Sequence, residues 1–165
     1  MGLGYRRDAI KIIAENVMIK RKLIGLGTDS LDVCTAEIKE FFTVVLASLS
    51  GDGGEEGGAV LVHCTQGKDR TGLTILLILL LLHIPFPAAE EDYMLSDREL
   101  ASEREERISE IEPMGFPAWF AGCDPGFVKA MDEHIREKYG GIEKYLEGVG
   151  VDGEMQGRMR KALLA

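Results

Sequence analysis

Most hydrophobic positions in this chain follow the period of an α-helix. Between residues 38 and 49 the apolar side chains recur at intervals of three and four, which predicts an amphipathic helix with one buried face. Residues 6–20 show the same spacing at Ile10, Ile13 and Val17, and we expect a helix there too. Residues 21–30 are polar and contain two glycines, so they are predicted to form a connecting turn.

The most apolar part of the chain, residues 59–83, changes its character halfway. It begins with Ala59-Val60-Leu61-Val62, a short run that is typical of a buried strand. A polar stretch with a glycine follows, and from Thr71 onward the chain is rich in leucine, which predicts a buried helix. The order of strand, tight loop and helix predicts a helix-rich α/β fold in which residues 59–64 form a strand.

The second half of the chain is predicted to be helical, with clear boundaries. Ser96 is expected to cap a helix that runs to about Ile111, and Asp124-Pro125 to start another that ends at Gly140. Residues 90–112 carry ten acids against three arginines. One interpretation is a solvated helix face. The other is a lid formed by residues 96–120 over a site.

The loop between the predicted strand and helix carries reactive chemistry. Cys64 and Arg70 are separated by five residues, and Thr71 follows. Backbone N–H groups of a tight loop and of a helix N-terminus point at a common anion site, and they lower the pKa of a thiol placed there. The thiolate is a nucleophile, and the planar guanidinium of Arg70 matches two phosphate oxygens. A structural cysteine at a strand end is the alternative for Cys64 alone.

Other residues of the loop have predicted supporting roles. Gly67 allows a close backbone approach, and the Thr71 hydroxyl can donate to the Cys64 sulfur. Lys68 adds a positive charge for a second anionic group, and Asp69 is the best candidate in this chain for a proton carrier. The candidate catalytic residues are Cys64, Asp69 and Arg70. The candidate phosphate-binding residues are Thr65, Gln66, Gly67, Lys68, Asp69 and Arg70, supported by His63 and Thr71.

The segment HCTQGKDRTG, from His63 to Gly72, resembles the P-loop of the cysteine-dependent protein tyrosine phosphatases, in particular the HCxxGKDRTG type of bacteria and fungi. Residues 91–96 resemble the DYxLS segment of that family, and residues 138–146 its YGSxExYL turn. The resemblance implies phosphomonoester hydrolysis through a phosphocysteine intermediate, with no cofactor or metal. Phosphotyrosine is the first substrate class implied, with phosphoserine, phosphothreonine and phosphoinositides as further ones.

The resembled family carries further strands and an acidic loop before the point at which this chain starts. The resemblance implies a tyrosine phosphatase-like α/β fold with strand 59–64 in a parallel sheet. We therefore expect residues 1–165 to be a single, partial domain in which this sheet is incomplete, completed by a missing N-terminal segment or a partner chain. The competing hypothesis is a phosphate-binding pseudophosphatase that has kept the loop. Sulfur transfer or arsenate reduction is a weaker alternative, because no second cysteine lies near Cys64 in the sequence.

Charge and cysteine usage narrow the partners and the compartment. The formal net charge of −9 argues against nucleic acid as a partner, so an anionic substrate has to be recognised by local geometry. Three scattered cysteines provide neither a disulfide framework nor a zinc motif, which favours a reducing compartment such as the cytoplasm. The leucine-rich run is shorter than the ~20 residues of a membrane span, so no stable membrane insertion is expected.

Overall fold

A computed structural model describes residues 3–50 and 58–164 of the chain. The helices are α1 (Leu3–Ile13), α2 (Ile19–Val33), α3 (Thr35–Ser50), α4 (Asp69–Leu81), α5 (Phe86–Glu99), α6 (Arg104–Ile111), α7 (Phe127–His134), α8 (Ile142–Val149) and α9 (Gly153–Leu163). Single π-helical turns at Ala14–Met18 and Ile135–Tyr139 and short 3₁₀ turns join some of them. Within these residues, no helix combines the length and apolar character that a membrane span requires.

Helix α4 is the centre of the molecule. Its leucines point in several directions, and Leu73, Leu76, Leu77 and Leu81 are all buried. A helix that is apolar on all sides must be surrounded by protein, and α4 indeed packs against α2, α5, α7 and α8. Helix α3 has the single buried face predicted from its spacing and packs against α8 and α9. The loop before α4 is therefore attached to a helix that four other helices hold in place.

The predicted α/β fold is wrong: the described residues contain no β-strand and are mostly helical. Residues 58–63 have no regular secondary structure, and the side chain of Leu61 is 88% exposed. A strand exists only when its backbone pairs with a neighbouring strand, and no described segment offers such a pair. The apolar composition of residues 59–62 was therefore insufficient to form the predicted strand 59–64 of a parallel sheet.

The predicted turn at residues 21–30 is also wrong, because this segment belongs to α2. A backbone break occurs only at Lys22, where φ is 56°. Gly27 lies inside the helix at its contact with α7, and a Cβ at this position would come within 2.7 Å of the Phe127 ring and 2.8 Å of the Met131 sulfur. The glycine thus permits close helix packing, whereas the sequence pattern indicated a turn.

The predicted helix boundaries between residues 86 and 127 are corrected in two places. Helix α5 continues to Glu99, so Ser96 lies inside it and caps no helix. Asp124 precedes α7, and its Oδ1 accepts a hydrogen bond from the Gly126 N–H at 2.9 Å, while the helix itself begins at Phe127. In contrast, the helical segment ends at Gly140 as predicted, and this glycine has a left-handed conformation.

Candidate active site

Cys64 lies at the start of a loop that leads into the N-terminus of α4. Its thiol is partly buried, which alone would raise its pKa. Hydrogen bonds from the Thr71 hydroxyl and from the backbone N–H groups of Thr71, Gln66 and Gly67 outweigh this effect and lower the pKa of Cys64 from 9.0 to about 6. The donors stabilise the negative charge of the thiolate. Cys64 is therefore mostly ionised at neutral pH.

The side chain of Thr71 is directed at this thiolate from the first turn of α4. Its hydroxyl oxygen is buried, and no nitrogen or oxygen atom of the described residues competes with the Cys64 sulfur as its hydrogen-bond partner. This hydroxyl is the first of the groups that lower the thiol pKa. Because a buried hydroxyl is costly to leave unpaired, we expect it to donate to the sulfur.

Arg70 lies at the exposed side of the same loop. Its guanidinium donates a hydrogen bond to the Thr65 hydroxyl at 2.8 Å, and the side chain borders the cavity that contains Cys64. Gly67 has a φ of +72°, a conformation that favours glycine, and a Cβ there would meet no atom within 4 Å. Backbone conformation alone therefore explains this glycine. His63 is exposed, and its Nδ1 lies 3.3 Å from the Cys64 carbonyl oxygen.

Lys68 points away from the loop mouth. Its side chain is only 1% exposed, and its Nζ donates to Asp69 Oδ2 at 2.8 Å and to the Gly122 carbonyl at 2.9 Å. A buried ammonium is costly unless it is paired and hydrogen-bonded, and these two acceptors provide the compensation. Lys68 is not among the residues that line the cavity at Cys64, whereas Asp69 is.

The second oxygen of Asp69 faces a buried tyrosine. Tyr93 Oη lies 3.4 Å from Asp69 Oδ1, and its ring stacks on Phe127 with the centroids 5.0 Å apart. Burial raises the pKa of Tyr93 far above its ordinary value, and the negative charge of Asp69 adds to this effect, so the hydroxyl remains protonated and able to donate. On the other side of the ring, a Cβ at Gly72 would lie 2.6 Å from Tyr93 Cδ2. Tyr93 is therefore tightly held.

A cavity of about 720 Å³ opens above Cys64. Its floor contains Cys64, Gln66, Asp69 and Arg70, and its walls are mainly apolar. One wall comes from the π-helical turn at Ala14–Met18 and from α2, and the other from α6 and the segment after it. The apolar wall residues include Met18, Leu23, Leu26, Val33, Ile111, Met114, Phe116 and Phe120. A cavity with polar groups on one side and apolar walls is the usual form of a small-molecule or side-chain binding site.

The structure adds residues 18–33 to the site as a cavity wall, although part of this segment was predicted to be a turn. Further lining residues lie in segment 96–120, for which a lid is one of the two predictions. Arg107 and Glu110 of α6 also line the cavity, and a 2.8 Å ion pair joins them. Phe120 borders the cavity, while Trp119 beside it is 46% exposed. The aromatic residues were visible in the sequence, but no local signal indicated which of them faces Cys64.

The geometry is that of a thiolate held at a helix N-terminus beside an arginine, in a loop shaped to receive an anion. The tyrosine phosphatase family model matches residues 14–165, and the chain belongs to this family. It is 30% identical over 124 residues to the triple specificity protein phosphatase PtpB of Mycobacterium tuberculosis, covering 66% of this chain and 45% of that protein. It is 33% identical over 109 residues to a tyrosine-protein phosphatase of Nostoc commune, covering 59% and 36%. The matches thus span less than half of each relative.

Proposed function

We propose that this chain hydrolyses phosphomonoesters through a phosphocysteine intermediate. The observation that carries the proposal is the Cys64 thiol, whose pKa is lowered to about 6 by donors of its own loop. Such a thiolate is a ready nucleophile at neutral pH. Membership of the tyrosine phosphatase family supports this reading of the site.

In the first step the Cys64 sulfur forms a bond to phosphorus, and the bond from phosphorus to the ester oxygen breaks. The backbone N–H groups of residues 65–70 and the Arg70 guanidinium hold the three phosphoryl oxygens as charge develops on them. In this proposal the leaving oxygen takes a proton from Asp69, a residue that lines the cavity. In this proposal the free alcohol or phenol then departs.

In the second step a water molecule attacks the phosphocysteine. Asp69, now ionised, accepts a proton from that water, the bond from sulfur to phosphorus breaks, and inorganic phosphate is released. The thiolate that leaves is stabilised by the same donors as before, with the Thr71 hydroxyl first among them. The chemistry thus uses side chains of one loop and one helix N-terminus.

The cavity favours an aryl phosphate as substrate. Its apolar walls can bury the ring of phosphotyrosine and neighbouring apolar side chains of a substrate. A free phosphate ion would leave this apolar part of the cavity empty. Phosphoserine, phosphothreonine and phosphoinositides are further proposed substrates, in keeping with the name of the mycobacterial relative. Residues 96–120 are proposed as a lid, because Ile111, Met114, Phe116 and Phe120 form one wall. An N-terminal segment or a partner chain is proposed to cover the exposed residues around Leu61.

The experiment is turnover of p-nitrophenyl phosphate by the whole chain, measured beside its Cys64→Ser and Asp69→Asn variants. Cys34→Ser is the matched control, since Cys34 lies at the junction of α2 and α3 and does not line the cavity. We expect Cys64→Ser to abolish turnover while orthovanadate still binds, and Cys34→Ser to retain full activity. A folded wild-type chain that binds vanadate without turnover would instead support the pseudophosphatase hypothesis.

A further inference from the structure

Lys68 belongs to the reactive loop by sequence, but its side chain reaches into the protein interior. A lysine inside a phosphate-binding loop would ordinarily place its ammonium at the mouth, where it could meet a second anionic group. Here Nζ is withdrawn from the cavity and bound to Asp69 Oδ2 at 2.8 Å and to the Gly122 carbonyl at 2.9 Å. The direction of this side chain requires an explanation other than substrate contact.

The Gly122 carbonyl lies two residues beyond the C-terminal end of the proposed lid, residues 96–120. The next residue, Cys123, donates its N–H to Asp97 Oδ1 at 2.8 Å, and Arg104 also binds this carboxylate oxygen at 2.8 Å. The pKa of Asp97 is lowered, first by the hydrogen bond from the Cys123 N–H and then by Arg104, although burial opposes this effect. The carboxylate that joins Cys123 and Arg104 therefore remains charged in neutral solution. The two ends of segment 97–123 are thus joined, and Lys68 connects this junction to Asp69.

We propose that Lys68 is a positioning residue, which fixes the Asp69 carboxylate at the cavity floor by binding it to the Gly122 carbonyl at the end of the lid, and that its side chain does not contact the substrate. The inference rests on the proposed function, in which Asp69 transfers the proton. Asp69 is held by Lys68 at one oxygen and faces Tyr93 at the other, which leaves the carboxylate little freedom to rotate. A displacement of the lid end would therefore displace Asp69.

The first test is lysine labelling of the wild-type chain with acetic anhydride, read by peptide mass spectrometry with and without orthovanadate. Lys129, whose side chain is 66% exposed in a surface ion pair, serves as the reference. We expect Lys129 to be modified rapidly, and Lys68 to resist modification whether or not vanadate is bound. Rapid labelling of Lys68 that vanadate suppresses would show that the ammonium faces the anion, and would overturn the inference.

The second test is the kinetics of Lys68→Met, with Lys129→Met as the control. A misplaced proton donor slows the release of a basic leaving group most. We therefore expect kcat/KM on phenyl phosphate to fall about tenfold or more, and kcat/KM on p-nitrophenyl phosphate to fall much less, because kcat/KM reports the first step, in which the leaving group departs. Vanadate affinity should change less than about threefold, because substrate contact is not removed. The ratio of the two kcat/KM values does not depend on the fraction of folded protein.

The outcomes separate this inference from the proposed function. Equal losses on both substrates would indicate a merely structural role for Lys68, and weakened vanadate binding would indicate a ligand; either result overturns the inference and leaves the phosphatase proposal standing. In an Asp69→Asn background, Lys68→Met should have no further effect on kcat. If Lys68→Met does not fold, the labelling of the wild-type chain still tests whether the Lys68 ammonium faces the bound anion. Absence of turnover in the folded wild-type chain would overturn the proposed function itself.

Discussion

Replacing Thr71 by valine tests the electrostatic basis of the site. Valine has nearly the same shape as threonine but no hydroxyl group, so the substitution removes one donor to the Cys64 sulfur and keeps the packing. Four hydrogen-bond interactions together lower the pKa of Cys64 from 9.0 to about 6 against the opposing effect of burial, and the Thr71 hydroxyl is the first of them. If it accounts for a third of the net change, the variant thiol has a pKa of about 7.

The assay is the rate of Cys64 alkylation by iodoacetamide between pH 4.5 and 9.5, followed on the Cys64 peptide by mass spectrometry. The midpoint of the wild-type profile should lie near 6, and that of Thr71→Val near 7. The plateau at high pH should rise about threefold in the variant, because a more basic thiolate is intrinsically more nucleophilic. The midpoint, which is independent of this effect, is therefore the quantity to compare.

The control for this experiment is Thr74→Val, one turn further along α4. The Thr74 hydroxyl donates to the carbonyl oxygens of Arg70 and Thr71 and is not among the groups that lower the pKa of Cys64. This variant should keep the wild-type midpoint. A wild-type midpoint near 9, or the same midpoint in wild type and Thr71→Val, would refute the view that the loop donors ionise Cys64.

Three further predictions concern stability. Asp32→Asn should lower the free energy of unfolding, measured in urea, by about 2 kcal/mol, because this carboxylate accepts hydrogen bonds from three side chains. The control is Glu133→Gln, in an exposed ion pair, which should lower it by less than about 0.5 kcal/mol. Burial alone would raise the pKa of Asp32, but the hydrogen bonds from Lys138, Tyr139 and His134 lower it far below the ordinary value of 3.8. Its contribution to stability should therefore be complete above about pH 5 and be lost progressively as the pH falls further, and an unchanged acid limb of the stability profile in Asp32→Asn would contradict this. Gly72→Ala should cost about 1–3 kcal/mol through its clash with Tyr93, while Gly148→Ala, with open space around it, should be neutral or stabilising in the same urea titration.

The local features of the site were predictable because they depend on residues close together in the chain. Cys64, Gly67 and Thr71 lie within a single loop and one helical turn, so their spacing alone indicates a shared anion site and a lowered thiol pKa. The buried face of α3 was predictable for the same reason, since a helix imposes its period on the sequence. Such features require no knowledge of distant contacts.

The features that depend on distant partners were not predictable in this way. The sequence pattern around Gly27 predicted a turn, because it could not show the Phe127 ring against this glycine. The spacing of Lys68 likewise could not show that its ammonium binds the Gly122 carbonyl, 54 positions away in the sequence. Residues 59–62 have a strand composition, but pairing depends on a neighbour that the described chain does not supply. Local sequence preference therefore did not decide these features. Contacts with residues far away in the sequence, or the lack of a pairing strand among the described residues, decided them.

The origin of the cavity walls has a consequence for the design of inhibitors. The charged floor is built from the HCTQGKDRTG motif, and a compound that mimics phosphate would meet the same loop in any phosphatase that shares it. The apolar walls come from residues 18–33 and 107–120, far from this motif in sequence. A ligand with a weakly charged head and a bulky hydrophobic body would therefore derive both affinity and selectivity from side chains that the catalytic chemistry does not constrain.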